Sequence, residues 1–173
     1  MERDIGRKLP GTKPLAADVT YPEGTRTETF VHGVRIVFWV PKGSHTIGDL
    51  LVYLPDDKVL AAGDVLVSQV VPTLQDGFPK NWIRTLAEIQ ALGEVRFVPG
   101  HGEIMTLHDV TALHDAMLRF YSGVREGFRR GESEGEIRES LDLSMWERLE
   151  RSYVIGRNIN RAYLEIEVDS FNE

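Results

Sequence analysis

The chain has 173 residues, of which 42% are hydrophobic and 27% are charged, and its formal net charge is −7 at pH 7. These values are typical of one globular domain and provide no basic field for a polyanion, so we expect no nucleic-acid partner. The sequence has no cysteine, which excludes disulfides and thiolate metal ligands, and it has no apolar run long enough for a membrane helix.

The first predicted elements form a hairpin. Residues Met1 to Pro22 contain three prolines and predict an extended lead-in. The lead-in starts with polar sequence and has no hydrophobic signal region, which favours a cytoplasmic location and no membrane partner. Residues 25 to 40 then predict two strands that turn at His32-Gly33, with one face made by Val34, Ile36, Phe38 and Val40.

A second strand pair and a strand, helix, strand unit follow. Leu50 to Leu54 and Val59 to Ala62 predict strands joined across a turn at residues 55 to 57. Trp82 to Leu92 has apolar residues at helical spacing, which predicts a helix packed against the sheet. Val95 to Val98 predicts the strand that returns after this helix.

The last third of the chain predicts helices. Thr106 and Asp109 have the spacing of a capping box and predict a long helix to about Phe128. After a polar break, helices are expected at Glu136 to Leu141 and at Ser144 to Ile166. We therefore predict a single domain over residues 1–173, with the lead-in at 1–22, a sheet core carrying metal-ligand loops at 23–105, and C-terminal helices at 106–173.

Three residues are the candidates for chemistry. His45 lies in Gly-Ser-His-Thr-Ile-Gly-Asp, Asp64 in Ala-Gly-Asp and His101 in Pro-Gly-His-Gly. Each follows a short apolar stretch and lies in a segment flanked by glycine, so each is expected on a loop at the end of a strand. Imidazole and carboxylate groups are suitable ligands for zinc, iron or manganese.

These three segments, in this order and spacing, resemble the second half of the metallo-β-lactamase-fold hydrolases, especially the glyoxalase II-like branch. The likeness includes residues 48–55, residues 58–64, and the helix from Trp82 that leads into residues 98–102. It implies an α/β protein of the αββα sandwich type. This chain would hold the C-terminal half, a mixed β-sheet with flanking helices and a helical extension. The His-x-His-x-Asp-His motif of the family's first half does not occur in the sequence.

The resemblance implies a dinuclear metal site in which His45 and His101 bind different metals and Asp64 bridges both. Water activated by the metals, with zinc expected first and iron or manganese as alternatives, would attack an ester, thioester or amide carbonyl of a small-molecule substrate. Asp64 is thus both the predicted catalytic residue and a predicted ligand. However, a catalytic zinc usually has about three protein ligands. We therefore expect a half-site, inactive and weakly metallated or metal-free when alone, that needs a missing N-terminal half or a homodimeric partner.

Simpler interpretations exist for each candidate. His45 and His101 could be loop histidines satisfied by backbone groups, and Asp64 could be a turn or helix-capping carboxylate. Asp49 could orient a ligand or cap its turn. The other histidines are expected to have structural or solvent-exposed positions: His32 in the hairpin turn, and His108 and His114 on a solvated helix surface.

Other residues leave further alternatives open. The aromatic residues Phe120, Tyr121, Phe128, Trp146 and Tyr153 are expected to pack rather than to line a substrate pocket. Arg129-Arg130 is expected to be a solvated helix end, with contact to an anionic substrate as the alternative, and the role of Lys80 and Asn81 is open. The whole domain could also be a non-catalytic dimeric or protein-binding half-domain with a relic metal site, or bind another protein through its C-terminal helices.

Overall fold

The structure is a computed structural model that describes residues 15–171. Five strands form one mixed sheet in chain order, with β1 to β4 antiparallel to their neighbours and β5 parallel to β4. The strands are β1 (Thr25–Val31), β2 (Val34–Val40), β3 (Leu51–Leu54), β4 (Val59–Val67) and β5 (Arg96–His101). The predicted hairpin, second strand pair and returning strand are confirmed. Residues 15–22 contain no helix or strand, and the rest of the predicted lead-in lies outside the described residues.

Helices follow β4 and then dominate the chain after β5. They are α1 (Pro79–Gln90), α2 (Leu107–Arg129), α3 (Glu134–Ser140), α4 (Ser144–Glu147), a 3-10 turn (Ser152–Val154) and α5 (Ile155–Ser170). The capping box that begins α2 is confirmed, because the backbone N–H of Thr106 donates to Asp109 Oδ2 at 2.8 Å and the Thr106 side chain accepts from the Asp109 N–H. These hydrogen bonds from Thr106 also lower the pKa of the Asp109 carboxyl. No helix of residues 15–171 is long and apolar enough to cross a membrane.

The expected helix from Ser144 to Ile166 is wrong as one element. The chain leaves the helix after α4, and Glu150 forms an isolated parallel bridge with Val70. The Glu150 carbonyl accepts a hydrogen bond from the Val71 N–H at 2.9 Å. Arg151 then has φ of 63°, a conformation that interrupts a right-handed helix. A tertiary backbone contact therefore overrides the local helical pattern.

The two faces of the sheet have different surroundings. Trp39 pairs with Leu51, and both side chains are buried with the helices in the hydrophobic core. Phe38 pairs with Val52 on the opposite face, where both residues are only partly buried. The predicted common face of Val34, Ile36, Phe38 and Val40 is therefore the face turned away from the helices.

The core lies between the sheet and the helix layer. Leu60, Phe97, Trp82, Leu86 and Phe120 each have no exposed surface. Burial of an apolar side chain of this kind contributes about 1.5–3 kcal/mol. Four of the helix aromatics pack against the core as predicted, namely Phe120, Tyr121, Phe128 and Trp146, although Tyr121 and Phe128 also line a cavity between the helices.

The packing prediction is wrong for Tyr153. This side chain is 76% exposed, and it lies in the 3-10 turn rather than in a continuous helix. The helical spacing that would have directed it to the core is lost at the Glu150 bridge.

Candidate functional site

The structure brings the three predicted site residues together at one carboxylate. His45 Nε2 lies 3.9 Å from Asp64 Oδ2, and His101 Nε2 lies 3.5 Å from Asp64 Oδ1. Their side chains are 24%, 38% and 38% exposed for His45, Asp64 and His101 respectively. This His–Asp–His cluster is open to solvent, and each imidazole faces a different oxygen of the same carboxylate.

Asp64 reaches this position from within a strand. The expected loop at this residue is wrong, because β4 continues to Val67. The strand is irregular at Gly63. The φ of this residue is 52°, and the register between β4 and β5 shifts on both sides of it. A left-handed residue in a strand is typical of a bulge, which re-aims the next side chain. The bulge, rather than a strand end, presents Asp64.

The loop before β3 holds His45 against α1. Ser44 is fully buried, its carbonyl accepts from the Phe78 N–H at 2.8 Å, and its hydroxyl donates to Thr85 Oγ1 at 2.8 Å. The His45 ring also contacts the Trp82 ring edge-on, with centroids 5.5 Å apart. These contacts fix the backbone and the ring of His45. The sequence pattern did not indicate Ser44 or Thr85 as supports of the site.

Asp49 closes the turn of this loop. Its carboxylate accepts from the Thr46 N–H at 3.0 Å and from the Thr46 hydroxyl at 2.8 Å. Asp49 Oδ1 also lies 4.0 Å from His45 Nδ1, which is longer than a hydrogen bond. Turn capping is thus the role seen in the geometry, with the carboxylate placed beside the second nitrogen of the His45 ring.

The sequence predicts His101 on a loop at the end of a strand, whereas the structure extends β5 to include His101 as its last residue. Its carbonyl accepts from the Ser68 N–H at 2.9 Å. The neighbouring glycines allow close approach, since a Cβ atom on Gly100 would collide with Oδ1 of Asp64, and Gly102 has φ of 87° against the Ser68 backbone. The Pro-Gly-His-Gly sequence therefore serves the packing of the cluster as well as the turn.

The other predicted histidine positions are mostly as expected. His32 has φ of 50° in the β1–β2 turn, and the His108 side chain is 91% exposed. His114 is an exception, because its side chain is only 16% exposed and its Nδ1 lies 3.0 Å from Asp115 Oδ1. It shares a helix face with the buried residues Val110 and Met117, which explains the lower exposure.

The donor set of the cluster is chemically suited to zinc, iron or manganese, but it is incomplete for catalysis. Within residues 15–171, no group of three or more histidine, aspartate or glutamate side chains is arranged to hold a metal ion. In a dinuclear site each metal would have only one imidazole and a share of Asp64, that is two protein ligands, which is fewer than the roughly three that a catalytic zinc needs. The residues present do not fit a complete catalytic metal site, and no reaction step follows from these residues alone.

Two curated proteins are similar in sequence, whereas no family model matches the chain. The 2,4-dinitroanisole O-demethylase subunit beta of Nocardioides sp. (strain JS1661) is 32% identical over 128 residues, which are 74% of this chain and 39% of that protein. A hydroxyacylglutathione hydrolase from Brucella anthropi is 32% identical over 98 residues, which are 56% of this chain and 36% of the hydrolase. The chain spans well under half of the length of either relative.

Solved structures give likenesses of fold. A metallo-beta-lactamase family protein from Thermus thermophilus aligns with a TM-score of 0.62 at 20% identity, over 91% of this chain and 51% of that one. The stereoselective inverting sec-alkylsulfatase from Pseudomonas sp. aligns with a TM-score of 0.64 at 18% identity, over 86% and 26%. A metallo-beta-lactamase from Pontibacter korlensis gives 0.52 at 22% identity, over 66% and 54%. Identities this low show the shared fold alone.

Proposed function

The chain has the metallo-β-lactamase fold, and from that premise we propose that it supplies one half of a metal-dependent hydrolase site. The observation that carries the proposal is the position of His45 and His101 on either side of Asp64, 3.9 Å and 3.5 Å from its two oxygens. The cluster provides one imidazole on each side of a shared carboxylate. Ligands from elsewhere would complete each metal position.

The sheet face turned away from the helices is the evidence for a second protein surface that would cover it. Val34 and Val98 on this face are 43% and 36% exposed, and Ile36 and Val52 are only partly buried. Tyr21, from the segment before β1, covers a part of the face by contacting Phe38 at a centroid distance of 5.0 Å. A broad apolar sheet face of this kind is expected to bind another protein surface. We assign it to a complementing N-terminal half, on the same polypeptide or on a separate one.

The name of one relative supports the proposed reaction class, and the name of the other supports a protein with more than one subunit. One similar protein is named as a hydroxyacylglutathione hydrolase, and another is named as the β subunit of a demethylase. By this proposal the completed site hydrolyses an ester, thioester or amide of a small molecule. The bound metals would lower the pKa of water and stabilise the developing oxyanion. Of this chain's residues, His45, Asp64 and His101 would serve as ligands, and the contacts of the His45 loop with α1 would fix the position of the His45 imidazole.

A second candidate uses the same sheet face without catalysis. Two copies of the chain could pair through the apolar face around a two-fold axis, since such an interface is self-complementary. The cluster would then be a relic or would contribute to a symmetric metal site. The exposed valines favour this alternative as much as they favour a complementing half.

Zinc titration with sedimentation of the full chain tests the proposal. We expect zinc binding that is weak for a catalytic site and is lost in the His45→Ala, Asp64→Ala and His101→Ala variants. His108→Ala is the matched control, because this side chain is 91% exposed on α2. Equal zinc affinity in the wild type and the three cluster variants would reject the half-site. A metal-free dimer would instead favour the non-catalytic alternative.

A further inference from the structure

An open cavity lies in the helix layer and shares no residue with the His–Asp–His cluster. It has a volume of about 300 Å³ and lies between α1, α2 and α5. Its apolar wall includes Ile83, Tyr121 and Ile166, which are 9%, 7% and 6% exposed. A volume of this size is at the lower end of the range for small-molecule pockets. The cavity is therefore large enough for a short hydrocarbon chain, which would contact the apolar wall.

The rim of this cavity is strongly basic in a chain whose net charge is −7. Lys80 and Arg84 contribute from α1, and Arg125 and Arg129 contribute from α2. Among the described lining residues Asp169 is the only acidic one, and it forms an ion pair with Lys80 at 2.5 Å. Three guanidinium groups are thus left without a balancing carboxylate in the lining.

The arginines of α2 stand on one side of the cavity. Arg125 and Arg129 are four residues apart, so they lie on the same helix face as Ser122 and Leu118. Both arginines are exposed at the mouth, whereas the buried apolar residues lie in the wall. A guanidinium group binds carboxylate, sulfate and phosphate oxygens through two parallel hydrogen bonds. The arrangement is polar and cationic at the opening and apolar within.

We propose that this helix-layer cavity binds an amphiphilic monoanion, with its head group at Arg125 and Arg129 and its hydrocarbon body against Ile83, Tyr121 and Ile166. A volume of about 300 Å³ lies at the lower end of the range for small-molecule pockets, which favours a ligand with a short hydrocarbon chain. A medium-chain carboxylate or alkyl sulfate has this size and this distribution of charge. The site is independent of the metal half-site, since it uses none of the same side chains.

Calorimetric titration of the full chain with octanoate and octyl sulfate tests this proposal. We expect saturable binding of one or both anions, and the stronger of the two identifies the preferred head group. Acetate, which has the head group alone, and octyltrimethylammonium, which has the opposite charge, are expected to give no saturable binding. Equal binding of the cationic and anionic amphiphiles would overturn the proposal, as would a failure of both anions to bind.

Variants separate the roles of charge and volume. Arg125→Gln combined with Arg129→Gln should weaken binding about tenfold or more, because charge-assisted hydrogen bonds are lost. Arg148→Gln is the matched control, since Arg148 is exposed and lies outside the cavity. Ser122→Trp keeps every charge but fills the cavity, so it should abolish binding while the circular dichroism spectrum stays unchanged. Unaltered binding in both the arginine and the tryptophan variants would reject this cavity as the site.

One further comparison keeps this site distinct from the proposed hydrolase. Octanoate or octyl sulfate should bind the His45→Ala/His101→Ala double variant as tightly as the wild type. A loss of binding there would place the anion at the metal half-site and overturn the helix-layer assignment.

Discussion

Gly100 packs directly against Asp64 across the β4–β5 pair. A Cβ atom at residue 100 would collide with Oδ1 of Asp64 and would lie 2.8 Å from its backbone nitrogen. The carboxylate of the His–Asp–His cluster therefore depends on a residue without a side chain in the neighbouring strand. This relationship connects the glycine of the Pro-Gly-His-Gly sequence to the position of the central ligand candidate.

The first prediction concerns this contact. Gly100→Ala should displace Asp64, lower the free energy of unfolding by about 1–3 kcal/mol and weaken zinc binding. Urea unfolding and zinc titration measure the two effects. Gly135→Ala is the control, because Gly135 lies in α3 and a Cβ atom there would have only ordinary contact, 4.0 Å from Ser133 Oγ. Zinc affinity that is equal in the wild type and Gly100→Ala would show that the close approach does not position Asp64.

The second prediction concerns a buried amide in α5. Asn158 is fully buried; its Oδ1 accepts from the Leu74 N–H at 2.9 Å, and its Nδ2 donates to the Pro72 carbonyl at 2.8 Å. Asn158→Ala would leave both backbone groups unpaired in the interior, so we expect a loss of about 2–4 kcal/mol of stability. Chemical denaturation measures the difference.

Asn160 offers a matched control on the same helix. It is exposed and donates to Glu134 Oε1 at 2.9 Å. Asn160→Ala should change stability by no more than about 0.5 kcal/mol. If the two variants were equally stable, solvent would have to reach the Asn158 partners, contrary to the burial of this side chain.

Local pattern was sufficient to predict most of the fold. The hairpin at His32-Gly33, the helix containing Trp82 and the capping box at Thr106 all depend on residues close in sequence, and all three are confirmed. The broken helix near Glu150 was not predictable in this way, because its cause is a bridge to Val70 about eighty residues away in the chain. Long-range backbone pairing leaves no local signal.

The candidate site was likewise predictable only in part. The glycines near His45, Asp64 and His101 indicated unusual backbone conformations, and the three residues do lie together. The strand bulge at Gly63 was missed because a glycine followed by aspartate has the same local pattern in a turn as in a bulge. Ser44 was missed because a single serine carries no periodic signal, although its burial against Thr85 fixes the His45 loop.

The third prediction concerns pH. Burial raises the pKa of the Glu165 carboxyl, which accepts from the Lys80 N–H at 3.1 Å. A raised folded-state pKa gives stability that is present below the unfolded pKa of about 4.3 and is lost as pH rises through the folded-state pKa. Glu165→Gln removes this loss, since glutamine stays neutral and can still accept the hydrogen bond. The variant should therefore gain stability relative to the wild type as pH rises from about 4 to about 8.

Urea midpoints measured across this pH range for both proteins check the sign. A difference between variant and wild type that is constant with pH would show that Glu165 does not titrate abnormally in the folded chain. A difference that decreases with pH would show that the ionised carboxylate is the favoured form in the folded state.

The fourth prediction concerns the apolar face of the sheet. Val98 is 36% exposed on the face turned away from the helices, beside Ala61 in the β4–β5 register. If this face binds a second copy of the chain, Val98→Lys should weaken self-association about tenfold or more, because a charge would be buried without a partner. Sedimentation velocity over a range of concentrations measures the association.

Leu164→Lys is the matched control, since Leu164 is 44% exposed on α5. Equal self-association in the two variants would exclude the sheet face as the dimer interface. A wild-type chain that stays monomeric at every concentration would exclude the second copy as partner, and the complementing half would then be the remaining cover for this face.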